Sequence, residues 1–92
     1  MFHHVGHLTL DATPEQVEAI GTGLLGLPGQ VPGLLAAEVA PDAGLGEGNA
    51  TLRFHLRFTD EAAWRAYGTH PAHVAVVGEL VKPVLVAKAF VQ

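Results

Sequence analysis

The sequence predicts an α+β domain whose elements run β-α-β-β-α-β, with the second helix broken in two. Three observations carry this. Residues 51–58, TLRFHLRF, alternate strictly between two faces, which marks a half-buried strand. TPEQ, at 13–16, sets Thr, Pro and Gln where a helix begins, as N-cap, first-turn proline and capping-box partner. HPAH, at 70–73, puts a proline inside an otherwise helical stretch, and the residue before a proline resists helical geometry.

The elements follow in order. HHVGHLTL (3–10) reads as a first strand, with His4, Gly6, Leu8 and Leu10 on one face and His3, Val5, His7 and Thr9 on the other. From Thr13 a helix runs to about Leu25, its Val17, Ile20 and Leu24 recurring at helical spacing, and Gly26, Pro28 and Gly29 end it. GLLAAEVA (33–40) is a second strand, apolar on both faces. PDAGLGEGN (41–49) is a glycine-rich loop, expected to be mobile because glycines are entropically costly to order. In the third strand Leu52, Phe54, Leu56 and Phe58 share the inner face, and Arg53, His55 and Arg57 form a polar stripe on the other.

Asp60 caps a short helix, EAAWRAYG, with Ala63, Trp64 and Tyr67 along one side and Gly68 as its stop. Pro71 opens a further helix carrying Val74, Val77 and Val81, which ends before Pro83. VLVAKAFV (84–91) is the last strand, again apolar on both faces. This order is the ferredoxin-like arrangement: a four-stranded antiparallel sheet with helices on one face. The apolar character of strands two and four calls for a second layer on the other face. A second copy of the chain, sheet against sheet, supplies it, so a homodimer is expected. The polar stripe then falls in the interface or at its rim, within reach of Glu38 or of the partner.

Composition agrees with this reading. Ninety-two residues make one domain, 1–92, that buries roughly two-thirds of its unfolded surface. Apolar residues make up 49% and charged residues only 15%, so an oligomer or an apolar pocket must absorb the surplus. Net charge is −4, and the five Lys and Arg are scattered from Arg53 to Lys88; no nucleic-acid partner is expected. There is no cysteine, which removes disulfides, thiolate nucleophiles and zinc–thiolate sites. MFHHVGHLTLD lacks a cationic start followed by an apolar core. The most apolar region, 21–40, is broken by Pro28 and Pro32, so it does not cross a membrane as one helix. A cytoplasmic protein with no membrane association is expected.

These segments together resemble a known family, the stress-responsive A/B barrel domain (Dabb), one of the dimeric α+β barrel groups. The resemblance covers the whole chain. It rests on HHVGHLTL, DATPEQVE, LPGQVPGL and LRFHLRFTDEAA, and most specifically on YGTHPAHVAVV, with its Tyr-x-x-His-Pro-x-His pattern. One branch, typified by olivetolic acid cyclase, closes linear polyketide thioesters by intramolecular aldol condensation. There the tyrosine and the second histidine of the pattern are catalytic, which implies Tyr67 and His73 here. A histidine near the start of the first strand lines that pocket, and His4 matches it. A further pocket histidine falls at Leu52, where this chain departs from the cyclases. Relatives outside that branch also keep the His-Pro-x-His element.

The residues carry a chemistry of their own. His73 sits in the first turn after Pro71, where the positive helix end disfavours imidazolium. A neutral imidazole is a competent general base near pH 7. Tyr67, one helix end away, is placed to bond a carbonyl oxygen as charge develops on it. His4, Trp64 and His70 are the expected substrate contacts, with His70 mainly the joint between the helix halves. The plainer alternative is that His70 and His73 only bond backbone groups at the break. No metal site is expected: His3 and His7 share a strand face but lie roughly 13 Å apart. No cofactor is expected. The expected ligand is an apolar or carbonyl-bearing small molecule. It is handled by a cyclase or lyase, or bound without chemistry by a stress-associated protein. A cofactor-free monooxygenase ranks below both.

Overall fold

The computed structural model describes residues 1–92. Strands β1 (Phe2–Leu10), β2 (Leu34–Pro41), β3 (Leu52–Phe58) and β4 (Leu85–Val91) form one antiparallel sheet in the order β2-β3-β1-β4. Helices α1 (Pro14–Leu25), α2 (Glu61–Tyr67) and α3 (Pro71–Ala75) accompany it. This is the ferredoxin-like arrangement the sequence predicts, and apart from the helix after Pro71 the element bounds agree within a residue or two.

Local chemistry sets the helix starts. Thr13 Oγ1 accepts the Gln16 N–H at 3.2 Å while Gln16 Oε1 accepts the Thr13 N–H at 2.9 Å. Together they satisfy two of the donors that a helix start leaves unpaired. Asp60 Oδ1 does the same for the Ala63 N–H at 2.8 Å. Between α1 and β2 the chain turns twice, at Pro28–Gly29 and Pro32–Gly33, with φ of 90° at Gly29 and 81° at Gly33. Pro then Gly is what such turns demand, since the second central residue needs positive φ. The turns drive Leu27 and Val31 into the core.

The core is the inner face of the sheet under α1. Leu8, Leu10, Leu52, Phe54, Leu56 and Phe58 meet Ile20 and Leu24 there. Leu56 and Phe58 are completely buried, as alternation along β3 requires.

The last helical stretch departs from expectation. After α3 the chain widens into a π-helical segment, Val76–Val81, in which the Lys82 N–H reaches the Val77 carbonyl, and it closes with a 3₁₀ turn at Lys82–Val84. The extra residue per turn changes which side chains face inward. Of the three valines this stretch carries, Val74 is exposed, Val77 is half-buried and Val81 is buried.

The outer sheet face is also less apolar than expected. The strand registers place Ala36, Glu38 and Ala40 of β2 and Ala87, Ala89 and Val91 of β4 on it. Its centre is mostly polar, with His3 and His7 beside Arg53, His55 and Arg57 and Val5 between the two histidines. The exposed larger residues Leu35 and Val86 sit where the registers of β2 and β4 slip by a residue. Within the stripe, His3 Nδ1 lies 2.8 Å from His55 Nε2, and Arg57 approaches Glu38 at 4.0 Å. The 42–51 loop carries its own ties. Asp42 accepts the Gly44 N–H at 2.9 Å and the Asn49 side-chain amide at 3.3 Å.

Gly29 and Gly33 offer a controlled test of this packing. Both need positive φ, but a Cβ on Gly29 meets open space, whereas one on Gly33 would lie 2.6 Å from Ala63 Cβ. Gly29→Ala should cost about 1–2 kcal/mol for its backbone alone, and Gly33→Ala clearly more. Urea denaturation of the two variants checks this; equal losses would contradict the packing of α2 on this turn.

Candidate active site

The break between α2 and α3 builds the site. Gly68 keeps right-handed backbone (φ −56°), so it is not the left-handed stop expected of a helix-ending glycine. The chain leaves the helix two residues later, at His70 (φ −67°, ψ 135°), because Pro71 excludes helical geometry there. Two imidazoles then satisfy the loose backbone groups. His70 Nδ1 accepts the Ala72 N–H at 3.1 Å, and His73 Nδ1 lies 3.1 Å from the Gly68 carbonyl. A carbonyl only accepts, so His73 carries its proton on Nδ1, and Nε2 holds the lone pair.

Tyr67, at the end of α2, faces His73 with ring centroids 4.1 Å apart. Its ring packs on Phe58 at 5.2 Å, and the residue is only 6% exposed. His4 approaches from β1, its ring 6.5 Å from Tyr67 and 5.1 Å from Phe54. His4 is 7% exposed, and its Nδ1 takes a 2.8 Å hydrogen bond from the Gln92 side-chain amide, which leaves the proton on Nε2. Trp64 stacks on Phe2 at 5.2 Å and stands 6.0 Å from His4.

These residues line a two-lobed cavity between sheet and broken helix. The more open lobe, about 380 Å³, is walled by His4, Trp64, Arg65, Tyr67, Gly68, His73, Phe90 and Gln92. The more enclosed lobe, about 200 Å³, shares His4, Tyr67, His73 and Phe90 and runs beneath Leu8, Leu24, Phe54, Val77, Val81 and Leu85, with Lys82 and Lys88 also on its wall. Within the chain no buried side-chain nitrogen or oxygen lacks a partner.

Of the residues expected at the site, Tyr67, His73, His4 and Trp64 come together around one cavity. His70 does not: it lines neither lobe, because its Nδ1 caps α3. Leu52 is buried elsewhere, beside a larger cleft of about 650 Å³ between α1 and the ends of β2 and β3. Phe54, Phe90, Gln92 and Gly6 were not anticipated. Gly6 matters through its missing side chain. A Cβ there would lie 2.5 Å from the Phe54 and Phe90 rings, so those rings close over the strand only because residue 6 is glycine. A lone glycine inside a strand pattern is the signal that points to it.

Burial keeps all three polar groups neutral. It is the main cause that holds His4 down to about 4, with nearby His73 adding to it. It pushes the Tyr67 phenol well above its usual range, so the hydroxyl remains a donor. It also lowers His73; Lys82 adds to this and the Gly68 carbonyl opposes it. Burial, rather than the helix end, is thus the first reason that His73 is a neutral base.

A folded-state value near 4 against 6.5 unfolded means that the unfolded chain binds the His4 proton more readily. Its stabilisation is complete above about pH 6.5 and is lost as pH falls toward 4, by about 3 kcal/mol at most. Urea denaturation of wild type and His4→Gln at pH 7.5, 5.5 and 4.5 isolates this from the carboxylates. The two proteins should converge in stability as pH falls; a constant gap would contradict a buried neutral His4.

The family described as the Stress responsive A/B Barrel Domain matches residues 4–91. No match was found among curated proteins. A dimeric ferredoxin-like protein of unknown function from Thermobifida fusca is 31% identical, with a TM-score of 0.83 over 97% of this chain and 85% of that one. A Dabb family protein with a ferredoxin-like fold from Mesorhizobium loti is 20% identical, with a TM-score of 0.78 over 97% and 90%. SnoaB, a cofactor-independent oxygenase from Streptomyces nogalater, is 12% identical, with a TM-score of 0.71 over 98% and 89%. At those last two identities the likeness is one of fold. With its profile matched almost end to end, the chain belongs to the stress-responsive A/B barrel domain (Dabb) family.

Proposed function

We propose that this protein is a homodimeric enzyme that removes a proton next to a carbonyl in a small, mostly apolar molecule, as an aldol-type cyclase or lyase does. The observation that carries the reading is the 4.1 Å approach of Tyr67 and His73 on the wall of one cavity. His73 Nε2, left with its lone pair, takes the proton from carbon. The Tyr67 hydroxyl donates to the carbonyl oxygen as it becomes an enolate, and the buried setting strengthens that bond. In a cyclisation the enolate carbon attacks a second carbonyl of the same molecule, and the proton held by His73 passes to the new alkoxide. His4 and Trp64 contribute wall and shape.

The second reading is binding without chemistry. One observation favours it: His73 Nδ1 already bonds the Gly68 carbonyl, so the imidazole also serves the helix break. Deuterium uptake separates the two. In D₂O the protein should accelerate exchange at the carbons flanking the carbonyl of 4-phenyl-2-butanone, followed by proton NMR. His73→Gln should lower that rate by about 10²–10⁴ and Tyr67→Phe by about 10²–10³, with folding retained. Exchange at the buffer rate with the ketone bound would leave the binding role.

The dimer is proposed on two supports. The outer face carries alanines and exposed Val91 on its outer strands, with exposed Leu35 and Val86 at the register slips of those strands. Three of the similar structures, from Thermobifida fusca, Bacteroides fragilis and Jannaschia, are described as dimeric. Sedimentation at micromolar concentration should give twice the chain mass, and a persistent monomer would contradict it.

A further inference from the structure

The charge around the cavity differs from that of the rest of the molecule. Nine Asp and Glu outnumber five Lys and Arg in the chain. Yet none of the nine lines either lobe of the Tyr67–His73 cavity, while Arg65, Lys82 and Lys88 all do. The larger cleft beside α1 shows the opposite sign, with Glu18 and Asp42 on its wall and no cation. An apolar hole in an acidic protein has no structural need for this segregation.

The three cations are not equivalent. Arg65 Nε is 2.8 Å from Glu61 Oε2, so its charge is compensated. Lys82 and Lys88 take part in no ion pair. Lys88 Nζ stands 5.3 Å from the centroid of the Phe90 ring, a cation–π contact that holds the ammonium against a cavity wall. Lys82 is close enough to His73 to oppose its protonation. Both lysines are exposed, as groups at a mouth must be, while the enclosed lobe beyond them is walled by Leu8, Leu24, Phe54 and Val81.

We infer that the cavity is built for an organic anion: a carbonyl compound whose apolar body fills the enclosed lobe and whose carboxylate lies between Lys82 and Lys88. This rests on the reading of the cavity as a small-molecule site, and it adds the charge of the substrate. Lys82 also has a role in the chemistry. A carboxylate beside Lys82 offsets the field of that lysine at His73, which makes the imidazole a stronger base once the ligand is bound.

The test compares 4-oxo-4-phenylbutanoate with its methyl ester, which keeps the ring and the carbonyl and lacks the charge. Binding is followed by NMR in wild type, in Lys82→Met and Lys88→Met, and in the double variant. The acid should bind about tenfold tighter than the ester at low salt. Each single substitution should weaken the acid about threefold and leave the ester within twofold. The advantage of the acid should shrink as salt is added. Only the acid should raise the pH at which His73 titrates. Equal affinities for acid and ester, with both shifting Tyr67 and His73 signals, would overturn the anion while keeping the cavity as the small-molecule site. No shift of those signals by either compound would overturn the cavity reading and the anion with it.

Discussion

The structure turns on the interruption between α2 and α3. A helix that stops leaves carbonyls without partners, and one that starts leaves N–H groups without them. Here the stop and the start lie four residues apart, and two histidines close the gap from opposite sides. His70 accepts the Ala72 N–H, and His73 donates to the Gly68 carbonyl. The second bond does more than mend backbone. It fixes the tautomer of His73, holds the ring against Tyr67, and leaves Nε2 as the free base. The same proline that breaks the helix therefore orients the group proposed to do chemistry.

Burial then sets the protonation states. In a cavity largely walled by leucine, valine and phenylalanine, charged forms are disfavoured, so His4 and His73 are lowered and Tyr67 is raised. A neutral imidazole beside a neutral phenol is an acceptor beside a donor, the pairing that proton abstraction next to a carbonyl needs. The π-helical stretch extends the same wall. His73, Val77 and Val81 follow one another at four-residue intervals along it, and all three line the enclosed lobe.

Much of this was legible in the sequence, for identifiable reasons. The strict alternation of TLRFHLRF revealed the core face of β3, because burial of one side leaves the other free to be polar. TPEQ marked the start of α1 because capping is local chemistry. Pro71 marked the break because ring sterics act on the immediately preceding residue. What escaped depends on neighbours distant in sequence. The widening of the helix after Ala75 has no local signature, so a single regular helix is what the sequence predicts from Pro71 to the residue before Pro83. The bond from Gln92 to His4 spans nearly the whole chain. Two valine- and alanine-rich strands suggested an apolar outer face. Register slips move Leu35 and Val86 out of alternation, and polar side chains of β1 and β3 surround Val5 at its centre. His70, expected mainly as the joint between the helix halves and also as a substrate contact, keeps only the first part, because its ring is committed to the cap.

The central claim is the state of one imidazole, and nitrogen-15 NMR of the His73 ring through a pH titration reads it directly. The proton should sit on Nδ1 and the lone pair on Nε2. The midpoint should lie below the ordinary histidine value of 6.5 and change when Tyr67 is replaced by Phe. A proton on Nε2, or an ordinary midpoint indifferent to Tyr67→Phe, would contradict the claim and leave His73 as a joint in the backbone alone.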